Sequence, residues 1–154
     1  MPYSVQIVVD CAHPHDLAAW WADTLDWQVE AQDEAFIRQM LAEGRANESD
    51  TEEWHGALVW RAGAAIVSGA DAALMAPRIL FQRVPEAKLG KNRLHLDLRT
   101  AGDDPEQVRA RLVERGAVVL HAGSQGPFSW VTMTDPEGNE FCVTSTTTLS
   151  DWFD

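Results

Sequence analysis

The same order of elements is predicted twice along this chain, and that repeat most constrains its fold. Residues 3–83 are predicted as a strand, a helix and further strands, and residues 92–146 as a strand, a helix and three strands. Superposing the halves at an offset of about 90 residues aligns the two strands that open them and then the two helices. We therefore predict an α+β protein of two tandem βαβββ modules that together make one domain over residues 1–154, with module 1 at about 3–84 and module 2 at about 92–146.

The first helix, "HPHDLAAWWADTLDW", has a clear start. His13 stands at the N-cap and Pro14 at the first helical position, where proline is favoured. A helix N-terminus disfavours a cation, so we expect His13 and His15 to be capping, solvent-exposed residues rather than a metal pair. Trp20 and Trp21 are neighbours, and we expect one of them to turn partly away from the core unless something covers it, as a second subunit would.

Strands flank this helix, and an insertion follows them. The opening strand covers residues 3–9 with its β-branched residues inward, and a short strand covers 27–31. The insertion at 33–56 is predicted as an amphipathic helix ending at Gly44, followed by the solvated acidic loop "NESDTEE". It either forms a lid or lengthens one edge. The residues that the opening strand is expected to bury are Val5, Ile7 and Val9.

Module 2 has strong local signals. "NRLHLDLRT" alternates as a strand with Leu94, Leu96 and Leu98 on one face, and the helix after it has Asp104 as N-cap and Gly116 as terminator. Three strands follow, "AVVLHA", "FSWVTMT" and "EFCVTS", divided by "GSQGP" and by the turn "DPEG". That last segment has the residue order of a type I turn.

Polar residues on the apolar strands of module 2 are the first candidates for function. His95 can act as a metal ligand, an acid or a base, or can simply line a pocket. For Asp97 we favour an ion pair with Arg99 or Arg93 over a role in holding the ring of His95. Glu140 is either a base or cation-binding group, or a residue at the solvent rim.

The remaining candidates would bind a ligand rather than react. Cys142 is expected to pack as a small buried hydrophobe rather than to act as a reactive thiol. Gln6 and Gln82 are amides that need partners, which a ligand, water or backbone can supply. Phe128 and Trp130 share a strand face that suits a flat ligand, although core packing would explain them equally. His55 and His121 have no supporting neighbours, and we assign them no role.

Composition excludes several partners. A formal charge of -12, from 24 acidic and 12 basic residues, repels nucleic acid and anionic lipid, so we expect neither as a partner. The chain shows no leader and no apolar run long enough to span a bilayer, and its two cysteines form no framework, so we expect a cytoplasmic protein. No motif for a phosphate-binding loop or a hydrolase nucleophile is present.

Three segments together resemble the glyoxalase-like branch of the vicinal oxygen chelate superfamily, which includes glyoxalase I, extradiol dioxygenases, and bleomycin and fosfomycin resistance proteins. They are "VVDCAHPHDLAAWWADTLDW", "FQRVPEAKLGKNRLHLDLR" and "DPEGNEFCV". The resemblance implies curved sheets around a cup for a ligand or metal. It also implies a homodimer, since related proteins often share cups between subunits.

The resemblance further implies where metal ligands would lie. The four positions fall at Gln6, about Leu80, His95 and Cys142. Gln6 and His95 match ligand types of the superfamily, whereas Leu80 offers no donor and Cys142 replaces a carboxylate. The cofactor is therefore unknown: we expect no metal, and the alternative is a divalent ion held by Gln6 and His95.

The sequence accordingly predicts a protein that binds a small organic molecule. If it is an enzyme, we expect a lyase, isomerase or dioxygenase step in which Gln6 and His95, with Glu140 or Cys142, position a metal or shuttle a proton. His95 and Glu140 are the catalytic candidates. The alternative is a resistance-type protein that sequesters a drug or metabolite without reaction. In that case the acidic charge would favour a cationic ligand.

Overall fold

The computed structural model describes residues 5–69, 77–100 and 102–145. These residues form three α-helices and ten strands, in two compact units at Met1–Ala87 and Lys88–Asp154. Within the described ranges, no helix has the length and apolar character needed to cross a membrane.

The first unit is built on a four-stranded mixed sheet. Its elements are β1 (Ile7–Cys11), α1 (Pro14–Leu25), β2 (Gln28–Val29), α2 (Glu34–Ala42), a 3₁₀ turn (Glu48–Asp50), β3 (Thr51–Trp54), β4 (Ala57–Trp60), β5 (Gly63–Val67) and β6 (Arg78–Arg83). The sheet order is β1-β6-β5-β2, with β1 parallel to β6 and the other pairs antiparallel. β3 and β4 pair separately as a hairpin.

The second unit repeats this connectivity without the insertion. Its elements are β7 (Leu96–Arg99), α3 (Pro105–Glu114), β8 (Val118–Gln125), β9 (Phe128–Thr134) and β10 (Glu140–Thr144). The sheet order is β7-β10-β9-β8, and again only the first and last strands of the unit pair in parallel. The predicted α+β class with two βαβββ modules is therefore confirmed.

Helix α1 shows one correction to the sequence-based expectations. It begins at Pro14 after the N-cap His13, as predicted. Trp20 and Trp21 are both buried, so the expectation that one of them turns away from the core was wrong. Their rings meet edge to face, with centroids 5.1 Å apart, while α1 packs against β5 and β6. This geometry lets two adjacent indoles share one apolar environment.

The acidic segment after α2 is not a loop, contrary to the prediction. It forms the 3₁₀ turn and then β3, which pairs with β4 in an antiparallel ladder. Thr51 faces Trp60 at one end of this ladder, and Trp54 faces Ala57 at the other. The two residues between the strands, His55 and Gly56, both have positive φ, 49° and 79°. This is the geometry of a type I′ turn, whose twist matches a two-residue hairpin.

His15 is buried, which corrects the expectation of solvent exposure. Its Nε2 donates to the carbonyl of Trp60 at 2.9 Å, and its ring lies 5.5 Å from that of Trp54. The β3–β4 hairpin supplies both contacts. The hairpin follows His15 by 36 or more residues in the sequence. Local patterns around His15 therefore could not predict these contacts.

Several strand limits also differ from the predictions. β1 begins at Ile7, so Val5 stands before the strand and is 87% exposed, and Ile7 itself is 43% exposed rather than inward. β7 begins at Leu96, which leaves Leu94 89% exposed. Both strands are outermost in their sheets, where pairing on one side alone gives the ends little cover. The predicted "GSQGP" divider is mostly strand, because β8 and β9 continue to a turn at 126–127.

The core of the second unit lies on one face of its sheet. Phe141, Val143 and Met133 are almost completely buried there, and Leu112 of α3 is buried as well. α3 starts where predicted, since the carboxylate of Asp104 accepts from the backbone N–H of Glu106 at 3.1 Å. Because side chains alternate along a strand, the residues between these apolar ones face the other way.

Candidate functional site

The opposite face of the second unit's sheet carries successive rows of mostly polar side chains, two of which form the candidate site. The strand register sets Cys142 beside Asp97 on one side and Thr132 on the other. The next row sets Thr144 beside Arg99 and Trp130. We call this surface the polar face. By strand alternation it carries these six predicted residues: His95, Asp97, Phe128, Trp130, Glu140 and Cys142.

His95, Asp97 and Cys142 lie together on the polar face. The Nε2 atom of His95 is 3.3 Å from Oδ1 of Asp97, and one ligand atom from each of the three residues lies within 4.8 Å of the others. The side chains of His95 and Asp97 are 42% and 41% exposed, while Cys142 is buried. Asp97 thus contacts His95, and the expected ion pair with Arg99 or Arg93 is not found among the described residues.

The Cys142 thiol is not a reactive thiolate in this environment. Burial raises its pKa, and the negative charge of Asp97 adds to that effect, while the hydrogen-bonding contact with the hydroxyl of Thr132 at 3.5 Å acts the other way. A thiol with a raised pKa stays protonated and is a poor nucleophile. A metal ion reverses this, because a coordinating thiol is deprotonated outright.

The chemistry of the three donors fits a zinc-type ion. Imidazole nitrogen, carboxylate oxygen and thiolate sulfur are the three ligand types of zinc, and catalytic zinc uses three protein ligands plus one open position. The exposed sides of His95 and Asp97 leave room for such a position. A buried thiol suits a borderline-soft ion better than Mg²⁺ or Mn²⁺, which prefer oxygen.

Glu140 holds a neighbouring segment in place. Its Oε1 pairs with Nζ of Lys88 at 3.1 Å, and its Oε2 accepts from the backbone N–H of Asn92 at 3.1 Å. Burial acts to raise the pKa of this carboxyl, but the backbone N–H of Asn92, its own N–H and the Lys88 ammonium outweigh that effect and lower it. A carboxylate with a lowered pKa is a weak base, so these contacts favour an anchoring role over the predicted catalytic one.

Trp130 lies over a glycine on the neighbouring strand. A Cβ built on Gly123 would come within 2.6 Å of Cε2 and Cζ2 of the indole, so the ring occupies the space that any larger residue would need. Phe128 lies two residues away on the same strand, opposite Gln125. Both aromatic rings are half-buried, which leaves part of each open to a ligand.

Gln6 and Gln82 belong to the first unit. The Oε1 of Gln6 accepts a hydrogen bond from Nη1 of Arg78, so the atom predicted to bind a metal is already engaged. Nε of the same arginine donates to Oε1 of Glu30 at 3.2 Å. Gln82 lines a cavity of about 540 Å³ with Leu80, the aliphatic residue at an expected ligand position.

His121 is a residue of the polar face that the sequence analysis missed. Simple alternation from Val118, which pairs with Thr134 of that face, would turn His121 to the core side. A register shift between Val119 and His121 instead sets His121 opposite Thr132. A β-bulge of this kind re-aims the side chains that follow it, and period-two reasoning cannot detect it.

Comparisons with solved structures support the fold. A variant of the fosfomycin resistance protein FosX from Listeria monocytogenes, complexed with Mn(II) and 1S,2S-dihydroxypropylphosphonic acid, aligns over 99% of this chain and 97% of its own at 8% identity and a TM-score of 0.63. FosX from Mesorhizobium loti aligns over 100% of both chains at 8% identity and a TM-score of 0.59. The oxidase ChaP-H2 aligns over 94% of both at 11% identity and a TM-score of 0.57.

Sequence comparisons give the family. No curated protein sequence matches this chain significantly. The model of the Glyoxalase-like domain matches residues 6–144, which is most of the chain and includes both units. The resemblance found in the sequence is thereby confirmed, and the chain belongs to the Glyoxalase-like domain family.

Proposed function

We propose that this protein binds a small organic molecule on the polar face and acts on it as a lyase or isomerase, with a zinc-type ion held by His95, Asp97 and Cys142. The observation that carries the proposal is the mutual distance of the three donor atoms, all within 4.8 Å. A nitrogen, an oxygen and a sulfur donor at these distances offer the three ligand types that zinc takes in proteins.

Each residue of the polar face has a separate role in this proposal. When bound, the ion supplies Lewis-acid polarisation of a substrate oxygen. Asp97 orients the ring of His95, and the half-buried indole of Trp130 offers a flat surface for the substrate. His121, in the same row as Cys142, supplies a second imidazole for proton transfer. A donor set that suits a redox-inert ion favours a lyase or isomerase over a dioxygenase.

Metal analysis of untagged protein, purified without chelators and then supplied with zinc, tests the proposal. We expect about one ion per chain by elemental analysis, and a several-fold loss of occupancy in both His95→Ala and Cys142→Ser. His121→Ala is the matched control, since it removes an imidazole from the same face but outside the three-residue cluster. Equal occupancy in the wild type and both cluster variants, or none after zinc addition, would refute the metal site.

A second candidate function is sequestration of a drug or metabolite without reaction. The position of Trp130 over Gly123 favours it, because an aromatic platform binds a flat ligand with or without a metal. The engagement of Glu140 with Lys88 also favours it, because that carboxylate is not free to act as a base. Tight ligand binding by metal-free protein, undiminished in His95→Ala, would support this function and oppose the enzyme.

A further inference from the structure

The second row of the polar face contains an unsatisfied hydroxyl. Thr144 is only 6% exposed, and its Oγ1 has no hydrogen-bond partner among the described residues. A buried donor without a partner is costly, and such groups usually have an explanation. A ligand that forms a hydrogen bond with this hydroxyl would explain why it lacks a partner.

The strand position next to Thr144 carries a cation that forms no ion pair within the described part of the chain. Arg99 follows Asp97 by two residues on β7 and is paired with Thr144 across the strands. Its side chain is exposed, and no acidic group among the described residues forms an ion pair with it. The chain carries a net charge of -12, and yet no acidic group among the described residues neutralises this guanidinium.

Trp130 lies in the same row, on the side of Thr144 opposite to Arg99. It pairs with Thr144 on one side and with Gly123 on the other, where its ring lies in the space above the glycine. A guanidinium, a hydroxyl and an indole edge therefore line one short row. Arginine binds carboxylates through a planar pair of N–H groups, and a hydroxyl adds a third donor.

We propose that Arg99 and Thr144 form an oxyanion subsite, so that the substrate is an organic acid whose carboxylate binds in this row beside the ring of Trp130. This subsite rests on the proposed function, which places the reacting group of the substrate at His95, Asp97 and Cys142. Two residues along a strand span about 6.5 Å, so the carboxylate lies about that far from the reacting group. A carboxylate bound in this row would supply the partner that the Thr144 hydroxyl lacks among the described residues.

The side chains of this row favour an anionic ligand, whereas the composition of the chain favours a cationic one. The net negative charge of the chain favours a cationic ligand at long range. In the row of Arg99 and Thr144, however, the guanidinium has no ion-pair partner among the described residues, and a carboxylate would neutralise it. Contact chemistry determines which group is bound, while the overall charge mainly affects the rate of encounter.

Benzoate and benzamide are a suitable pair of probes, because they share a flat ring and differ in charge. We expect calorimetric titration to show that benzoate binds about tenfold or more tightly than benzamide, the effect of one charge-assisted contact. Arg99→Gln is expected to abolish this preference, and Thr144→Val to reduce it several-fold. Arg111→Gln, on the exposed surface of α3, is the control that removes the same charge elsewhere and leaves the preference intact.

Equal binding of the two probes, an equal loss in Arg99→Gln and Arg111→Gln, or no binding of benzoate at millimolar concentration would each overturn the subsite. Zinc occupancy measured on the same samples separates this test from the proposed function. Zinc binding without a benzoate preference would refute the subsite alone. A benzoate preference in protein that binds no zinc would support the subsite and refute the metal.

Discussion

The buried carboxylate of Asp135 supports the turn before β10, and its removal should destabilise the protein. Asp135 is 2% exposed, and its Oδ1 accepts from the backbone N–H groups of Glu137 at 2.9 Å and Asn139 at 3.0 Å. The side-chain amide of Asn139 adds a further bond to Oδ2 at 3.0 Å. Asp135→Ala leaves all three donors without this partner.

The size of the effect follows from these contacts. A hydrogen bond to a charged group contributes about 1.5–3 kcal/mol, so the two backbone bonds sum to about 3–6 kcal/mol, reduced where water can enter the turn. We expect Asp135→Ala to lower the free energy of unfolding by about 3 kcal/mol, or the melting temperature by roughly 6–12 °C for a chain of this size. Asp135→Asn, which keeps an acceptor oxygen, should lose less.

Urea denaturation followed by circular dichroism measures this difference. The matched control is Asp104→Ala, which makes the same chemical change at an exposed N-cap whose carboxylate accepts one bond from Glu106. Loss of such a cap costs about 1 kcal/mol. If Asp135→Ala destabilises the protein no more than Asp104→Ala does, the assigned role of the buried turn carboxylate is incorrect.

Two further predictions concern Glu140 and His15. The pKa of Glu140 is lowered from 4.5, so its ionised contacts with Lys88 stabilise the fold above that pH and are lost as the pH falls through the lower folded value. The difference in unfolding free energy between wild type and Glu140→Gln should therefore shrink below about pH 4.5, and a constant difference would contradict this. His15→Ala, which removes a buried ring and its bond to Trp60, should cost about 2–4 kcal/mol in thermal or chemical denaturation. His13→Ala, at an exposed N-cap whose side chain makes no capping hydrogen bond, should cost less than about 1 kcal/mol, and equal losses would refute the buried role.

Local signals in the sequence identified the elements that depend on neighbouring residues. Pro14 and Asp104 marked the helix starts, and the backbone N–H of Gly138 donates to the carbonyl of Asp135 at 2.9 Å, as a type I turn requires. The β3–β4 hairpin was missed because its turn, His55–Gly56, is not one of the common hairpin pairs. Its acidic strand also resembled a solvated loop.

The candidate site was predictable only in part. Alternation in "LHLDL" and "EFCVTS" put His95 and Asp97 on one face of their strand and Cys142 on one face of its own. The pairing that joins the two faces is a property of the parallel β7–β10 register, which no local pattern encodes. The same holds for His121, whose direction depends on the bulge in β8.

The amino-acid sequence by itself determined the order of elements, the helix caps and the turn before the last strand, because each depends on residues a few positions apart. Tertiary structure decided between the contacts that the sequence left open. Asp97 joins His95 and Cys142 rather than Arg99, and Arg99 remains beside the unsatisfied hydroxyl of Thr144. The reason is that strand register and burial bring together residues more than 40 positions apart, and the energy of those contacts exists only once the sheet has formed.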